Sequence, residues 1–262
     1  MLDTLRARTW GETVRACGDQ TFAAAAADRG AARAVFLDRD GTLIVDHPYS
    51  ADTDAIELLP GVVDGLVTLH DAGYLLIVVT NQSGIARGYF DDRALAAMHY
   101  RLNQLLALAG VDVAAYYYCP HHVAGREPTL ARPCGCRKPS PGMLLRAAVD
   151  WSIDLGQSWL IGDRASDAAA ALAAGCQPLL VGPGPWPHPP PLSIQDGEGS
   201  RTIPPLHLRW RGGEGVGPRG SGVRLPSPGA EATIADAARY IIASERRGRG
   251  HDAAAGRSIR QR

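Results

Sequence analysis

The chain has 262 residues, and its 27 basic and 27 acidic side chains leave no formal net charge at pH 7. Such a balance produces no global field toward nucleic acid or membranes. No segment approaches the roughly 18 consecutive apolar residues of a transmembrane helix. At roughly 150 residues per domain, the length allows one large domain with extensions. We therefore expect a monomer without a nucleic-acid or membrane partner.

The first 33 residues differ in character from the next 150. Residues 1–33 contain helix-forming alanine and scattered charge but little apolar periodicity, so we interpret them as an N-terminal extension. From residue 34 onward, short apolar runs alternate with helical patterns. The predicted strands are 34–37, 74–79, 114–118, 159–161 and 179–181, and the predicted helices lie near 61–72, 92–109, 141–151 and 166–174. Apolar strands separated by helices are typical of a parallel sheet covered on both faces. We predict a doubly wound α/β fold for 34–183.

The C-terminal third is divided by composition. Pro, Gly and Ser dominate 184–228 without periodicity, which is typical of a disordered insertion. Apolar residues then recur on one side of a predicted helix, so we expect 229–243 to pack back onto the core. Six arginines lie in 244–262, and we interpret this segment as a solvated basic tail rather than a nucleic-acid-binding arm.

Two carboxylates come directly after the first predicted strand, in FLDRDGTLI at 36–44. Residues i and i+2 of an extended strand point to the same side, so Asp38 and Asp40 are expected to face one space with Arg39 turned away. Carboxylates that close repel unless a cation lies between them, and Mg²⁺ prefers such hard oxygen ligands. In a phosphoryl-transfer reaction, Asp38 can act as the nucleophile that attacks the phosphorus atom. Asp40 can protonate the leaving group and later activate water.

Other polar residues lie after the remaining strands, where doubly wound sheets bind their ligands. Asp163, in WLIGDRASD, can complete the carboxylate set of the metal. Asp167 either orients those ligands or is an ordinary acid of a first helical turn. Lys138 is the only lysine of the chain and precedes a predicted helix, so we expect it to contact phosphate. The segment TNQSG, which begins at Thr80, is predicted to be a polar turn.

Three of the five cysteines lie close together between residues 119 and 136. This spacing is typical of a closed, structural zinc site with thiolate and imidazole ligands. It also fits the reducing cytoplasm better than a disulfide framework does. The expected ligands are Cys119, His121, Cys134 and Cys136, with His122 as an alternative ligand. Cys17 and Cys176 fall outside the cluster and are expected to be unremarkable thiols.

Four motifs occur in order, namely DRDGT, the TN of TNQSG, the lysine of CRKP, and GDRASD, and together they resemble the haloacid dehalogenase superfamily of phosphohydrolases. The resemblance covers about 35–182. With the zinc loop 119–136, the chain resembles more narrowly the capless D-glycero-D-manno-heptose 1,7-bisphosphate 7-phosphatases and their relatives, the histidinol-phosphate phosphatases. The GxGxxG of dinucleotide-binding folds and the GxxxxGK[ST] of P-loop enzymes are absent from the sequence.

The resemblance implies an aspartyl-phosphate on Asp38, with Asp40 as acid and base. It implies Mg²⁺ on Asp38, the carbonyl of Asp40, and Asp163. Thr80 and Lys138 would stabilise the transferring phosphoryl group, and Arg137 would recognise the far part of the substrate. The other implied substrate contacts are Asp46, His47, Tyr49, Asn81, Gln82, Ser83 and Arg164.

Several functions remain open at this point. The favoured one is removal of the 7-phosphate of a heptose bisphosphate, a small-molecule substrate, for nucleotide-activated heptose and lipopolysaccharide biosynthesis. Histidinol phosphate is the alternative substrate, because an arginine at the position of Arg164 also occurs in that group. A polynucleotide 3′-phosphatase is disfavoured by the neutral charge and the missing kinase motif. A non-enzymatic binding module built on the zinc loop is the hypothesis from a different class.

Overall fold

The computed structural model of the chain describes residues 14–16, 32–182, 192–196, 199–203 and 232–245. Its strands are β1 (Val14–Ala16), β2 (Ala34–Leu37), β3 (Leu75–Asn81), β4 (Ala115–Cys119), β5 (Trp159–Gly162), β6 (Gln177–Leu180), β7 (Leu192–Asp196) and β8 (Gly199–Ile203). The helices span Val62–Asp71, Ser83–Ala86, Asp92–Ala107, Gly142–Trp151, Ala165–Ala174 and 234–245, and short 3₁₀ turns span Thr53–Ala55 and Leu155–Gln157. No helix of the described segments is long and apolar enough to cross a membrane.

Strands β1 to β6 form one parallel sheet in the order β1-β4-β3-β2-β5-β6. The central strand β2 pairs with β3 and β5, so that Phe36 lies between Ile77 and Leu160. All four residues of β2 are buried, as expected of a parallel strand covered on both faces. The predicted doubly wound α/β fold is confirmed, and the first two carboxylates of the site come directly after its central strand.

Alternate residues of β2 belong to opposite layers of the core, as the two-residue period of a strand requires. Val35 and Leu37 pack in one apolar cluster with the helix Val62–Asp71, whereas Phe36 packs in the other with the helix Gly142–Trp151. The helix at 234–245 lies on the first layer, where its contributing residues are Ile234, Ala237, Ala238 and Ile241.

A glycine allows this last helix to lie close. A Cβ built on Gly65 would lie 2.6 Å from the backbone carbon of Ile234, closer than any side chain permits. The C-terminal helix is therefore part of the main core even though a long insertion precedes it.

Some elements differ from the sequence-based expectations. The strand Val14–Ala16 lies inside the segment interpreted as an extension and pairs with β4. Strand β3 runs on to Asn81, because Thr80 and Asn81 pair with Tyr118 and Cys119, so these two residues are not the predicted turn. Within 184–228, β7 and β8 form an antiparallel pair. The rest of that segment and the tail from 246 lie outside the described residues, so their expected disorder stays a prediction.

Candidate active site and metal-binding cluster

The first aspartate of DRDGT stands where β2 ends. The backbone N–H of Asp38 donates to the carbonyl of Ile161 on the neighbouring strand at 2.9 Å, which continues the sheet by one residue. Gly41 then adopts a φ of +77°, a left-handed conformation that favours glycine. A Cβ at Gly41 would also lie 2.5 Å from Oδ2 of Asp163. The glycine thus lets the turn bring Asp163 close to the end of β2.

Three carboxylates meet at this edge of the sheet, and a buried lysine lies among them. One oxygen each of Asp38, Asp163 and Asp167 lies within 4.8 Å of the others. The Nζ of Lys138 is 2.8 Å from Oδ1 of Asp38 and 2.6 Å from Oδ1 of Asp167. It also donates to the carbonyl of Val79 at 2.9 Å. Lys138 is only 3% exposed, so its charge acts on the carboxylates at close range with little screening.

The electrostatics of this cluster follow from burial and crowding. Burial raises the pKa of Asp38 to about 7, against the attraction of Lys138, while the neighbouring Asp167 and Asp40 raise it further. The pKa of Asp163 is raised by burial and by Asp167. Burial disfavours the charged form of Lys138, but Asp38 and Asp167 outweigh that effect and raise its pKa. The lysine therefore remains a cation, and the carboxylates have room for a second positive charge.

This donor set fits a hard divalent cation. Oδ1 of Asp163 is buried and has no hydrogen-bond partner among the described residues, and a buried acceptor without a partner is costly. Oxygen ligands of this kind are those that Mg²⁺ prefers. Asp167 joins Asp38 and Asp163 in the cluster and pairs with Lys138 through Oδ1. Its Oδ2 accepts from the backbone N–H of Arg164 at 3.0 Å, so Asp167 also caps the helix Ala165–Ala174.

Asp40 has a different environment from Asp38, and the expectation that Arg39 turns away is wrong. The guanidinium of Arg39 folds back onto the adjacent carboxylate, with Nε 3.0 Å and Nη2 2.8 Å from Oδ1 of Asp40. Nε2 of Gln82 donates to Oδ2 of Asp40 and to Oγ1 of Thr80, each at 2.8 Å. The arginine side chain is long enough to fold back onto the neighbouring residue, and it is buried where it does so. The alternation of residues along a strand gives no information on either point.

Asn81, the last residue of β3, holds the backbone of Lys138 through two hydrogen bonds. Its side-chain nitrogen donates to the carbonyl of Lys138 at 3.1 Å, and the backbone N–H of Lys138 donates to its side-chain oxygen at 3.0 Å. Both polar groups of the Asn81 amide are thereby engaged with one residue's backbone. Sequence reasoning predicted Asn81 as a substrate contact; the structure shows that it also holds Lys138 in place.

A cleft of about 470 Å³ opens above these residues. Every residue predicted to bind substrate lines it: Asp46, His47, Tyr49, Thr80, Asn81, Gln82, Ser83, Arg137, Lys138 and Arg164. At its mouth, Nη2 of Arg164 lies 2.8 Å from Oδ2 of Asp46, so two loops far apart in sequence meet there. Residues that the sequence did not single out also line the cleft, among them Arg87, Phe90 and Ser166.

One wall of the cleft carries two guanidinium groups, those of Arg87 and Arg137. Arg87 contacts the ring of His122, with Nη2 3.2 Å from Nε2, and its guanidinium lies 5.7 Å from the centre of the Tyr49 ring. Arg137 donates to the carbonyl of His121 at 3.4 Å. Neither guanidinium has an acidic partner within the described ranges. Burial, Arg137 and Arg87 all lower the pKa of His122, so this wall is suited to an anion.

The cysteine cluster forms beside the same loop. Cys119, His121, Cys134 and Cys136 each place one ligand atom within 4.8 Å of the others. The three sulfur–sulfur distances are 3.3, 3.4 and 3.5 Å, and Nδ1 of His121 is 3.5 Å from Sγ of Cys136. Tetrahedral Zn–S bonds of about 2.3 Å place sulfurs about 3.8 Å apart, so the arrangement is close to what zinc requires.

The chemistry of these thiols also fits a metal. Hydrogen bonds from Cys134 and Cys136, together with burial, raise the pKa of the Cys119 thiol far above its ordinary value. Three thiolates this close need a cation among them. His122 faces Arg87 instead of the sulfurs, so His121 is the histidine of the cluster. Cys176 lies in the apolar core and Cys17 lies outside the described residues.

Relatives of known name cover the part of the chain that carries this site. A family model described as HAD-hydrolase-like matches residues 135–185. The D-glycero-beta-D-manno-heptose-1,7-bisphosphate 7-phosphatase of Photorhabdus laumondii is 46% identical over 141 residues, which are 54% of this chain and 75% of that protein. The protein of the same name from Escherichia coli K12 is 45% identical over 141 residues, 54% of this chain and 74% of its own.

Two solved structures that are similar to this chain are also described as phosphatases. A protein from Mesorhizobium loti described as a HAD-like phosphatase is 44% identical, with a TM-score of 0.55 over 57% of this chain and 72% of that one. The D,D-heptose 1,7-bisphosphate phosphatase from B. bronchiseptica, complexed with magnesium and phosphate, is 36% identical, with a TM-score of 0.51 over 56% of this chain and 79% of that one.

The parallel sheet, the acidic end of its central strand and the buried lysine define a hydrolase of the haloacid dehalogenase type. Since relatives 45–46% identical to the chain are matched over about three quarters of their length, the chain belongs to the phosphatase family that the heptose bisphosphate 7-phosphatases represent, and it is a phosphoric monoester hydrolase.

Proposed function

We propose that the chain removes the 7-phosphate of D-glycero-D-manno-heptose 1,7-bisphosphate, in the cytoplasmic synthesis of nucleotide-activated heptose. The observation that carries this proposal is the distribution of charge in the cleft. Its floor holds the buried pair of Asp38 and Lys138, and its wall holds Arg87 and Arg137 without acidic partners among the described residues. One phosphate can react at the floor while guanidinium groups bind the other.

The reaction uses two aspartates in turn. Asp38 attacks phosphorus, the bond to the sugar oxygen breaks, and Asp40 gives its proton to that oxygen. A water molecule then attacks the phosphorus of the aspartyl-phosphate and gives its proton to Asp40, which releases phosphate and restores both carboxyl groups. Lys138 and Thr80 contact the phosphoryl oxygens that do not react, where positive charge and hydroxyl groups stabilise the transition state.

Two metals complete the proposal. Asp38, the carbonyl of Asp40, and Asp163 would hold Mg²⁺, which supplies positive charge next to the phosphoryl group when bound. Cys119, His121, Cys134 and Cys136 would hold a structural Zn²⁺. Because Cys136 directly precedes Arg137 and Lys138, the zinc-bound loop would fix both cations at the cleft.

A substrate panel tests the proposed function. Phosphate release with Mg²⁺ is measured from heptose 1,7-bisphosphate, the two heptose monophosphates and histidinol phosphate. We expect the bisphosphate to react fastest and to leave the 1-phosphate as product. Faster turnover of histidinol phosphate would assign the chain to the alternative group.

The nucleophile is tested with a matched pair of variants. Asp38→Asn should abolish turnover and the trapped phosphoenzyme, because the amide cannot attack phosphorus. Asp54→Asn makes the same change at an exposed position of a 3₁₀ turn outside the cleft, and it should keep normal activity. Full activity of Asp38→Asn would leave the non-enzymatic binding module as the better hypothesis.

A further inference from the structure

The carboxylate of Asp40 is saturated with hydrogen-bond donors. Oδ1 accepts from Nε of Arg39 at 3.0 Å and from Nη2 at 2.8 Å. Oδ2 accepts from Nη2 of Arg39 at 2.9 Å and from Nε2 of Gln82 at 2.8 Å. A carboxylate offers about four lone-pair positions, so this arrangement occupies all of them.

Arg39 is itself held firmly. Its side chain is 5% exposed, and Asp40 is its acidic partner within the part of the chain that the structure describes. Its Nη1 is buried and has no hydrogen-bond partner among the described residues, so that side of the guanidinium faces the protein interior. A buried guanidinium without its carboxylate would be an uncompensated charge. Arg39 therefore fixes Asp40 through a contact that neither residue can relinquish at low cost.

We propose that Arg39 is a positioning residue for the acid–base step, an inference that rests on the proposed role of Asp40. The paired contact with Arg39 and the hydrogen bond from Gln82 hold the Asp40 side chain in one orientation at the edge of the cleft. Proton transfer to the leaving sugar oxygen needs such a fixed orientation. Arg39 is among the residues that line the cleft, but its Nε and Nη2 both donate to Asp40, so its proposed effect passes through that carboxylate.

The leaving group distinguishes this role from a structural one. An alkoxide leaving from a sugar needs a proton, whereas p-nitrophenolate is stable enough to leave without one. Arg39→Met should therefore lower kcat/KM for the heptose phosphate about 10- to 100-fold and that for p-nitrophenyl phosphate less than about threefold. Arg39→Lys keeps the charge but cannot form the paired contact, so it should give an intermediate selective loss. It also keeps the test usable if the Met variant does not fold.

Two controls make the outcome specific. Arg33→Met removes another partly buried arginine, paired with Glu245 beside the C-terminal helix, and should leave the ratio of the two substrates unchanged. Asp40→Asn should show the same selective loss as Arg39→Met. In the Asp40→Asn background, Arg39→Met should add no further selectivity, because its effect acts through that carboxylate.

The two ways in which this inference can fail are distinguishable. If Asp40→Asn affects both substrates equally, the proposed acid–base role of Asp40 is wrong. If Asp40→Asn is selective but Arg39→Met and Arg39→Lys lower both substrates in the same proportion, Arg39 only supports the fold and its positioning role is overturned.

Discussion

Replacing Lys138 by methionine tests whether the lysine compensates the carboxylate cluster. The substitution keeps most of the side-chain volume but removes a buried ammonium group that pairs with Asp38 and Asp167 and donates to the carbonyl of Val79. It leaves three acidic groups within 4.8 Å of one another, counting Asp163. Among the described residues, the remaining cation at these groups is the half-exposed Arg164, whose Nε lies 3.5 Å from Oδ2 of Asp163. We expect a large loss of stability, and we expect divalent cations to recover part of it.

The magnitude follows from the burial of the pair. Lys138 is 3% exposed and Asp38 6% exposed, so water screens their attraction only weakly. Removing one partner of such a buried pair costs about 3–5 kcal/mol. For a domain of this size each kcal/mol lowers Tm by about 2–4 °C, which predicts a decrease of about 10 °C. Mg²⁺ should recover part of this decrease, because it restores a positive charge beside Asp38 and Asp163.

Thermal unfolding of the zinc-loaded protein, with and without Mg²⁺, measures both effects. Asp167→Asn removes one of the crowded charges, and the double variant Lys138→Met/Asp167→Asn should be more stable than Lys138→Met alone. A Tm of Lys138→Met within about 1 °C of the unaltered protein without Mg²⁺ would refute the electrostatic reasoning. An equal decrease with and without Mg²⁺ would show that lost packing, rather than charge, causes the effect.

Three further predictions concern the metals and the cleft. Cys134→Ser should lower the zinc content from one equivalent per chain and reduce Tm, as metal analysis and calorimetry would show; a zinc content near zero in the unaltered protein, or a Tm that the substitution leaves unchanged, would contradict a structural zinc. Because the pKa of Asp38 is about 7 without metal, protons should compete with Mg²⁺ below that pH. The calorimetric Kd for Mg²⁺ should fall about tenfold per unit as the pH rises from 5.5 to 7 and then level off, whereas a flat profile would contradict this assignment. Arg87→Ala and Arg137→Ala should each raise KM about tenfold for the bisphosphate and little for the monophosphate that lacks the far phosphate; an equal rise for both would place these arginines at the reacting phosphate.

The strands of the sheet and their parallel class could be predicted from the sequence because their determinants are local, whereas their order in the sheet was not predicted. Each of the five predicted strands is a short apolar run, and parallel strands buried on both faces require such runs. The strand Val14–Ala16 lacks this signal, since its pairing with β4 at the sheet edge depends on a distant partner. The same reasoning brought Asp38, Thr80 and Asp163 to one edge, because the carboxyl ends of parallel strands meet there. Lys138 follows no predicted strand, and its contact with this edge was predicted from its being the one lysine of the chain.

The details of the site depend on contacts that no pattern encodes. The return of Arg39 onto Asp40 requires a buried path for the guanidinium, and strand alternation predicted the opposite orientation. The clamp of Asn81 on the backbone of Lys138 joins residues 57 positions apart. Arg87 lies in the segment TNQSGIARGYF, and its place at the cleft follows from the short helix Ser83–Ala86 that precedes it. The sequence thus predicted which residues lie at the site, but it did not predict which of them contact one another.

The ends of the long insertion meet at one point of the fold. The backbone N–H of Gly182 donates to the carbonyl of Ala232 at 2.8 Å, so the residues on either side of 183–231 are joined by a hydrogen bond. Closing a loop costs only about 0.6 kcal/mol more for each doubling of its length. By this measure a change in the length of 183–231 costs little at the junction of Gly182 with Ala232, which makes this junction a place where sequence can be gained or lost.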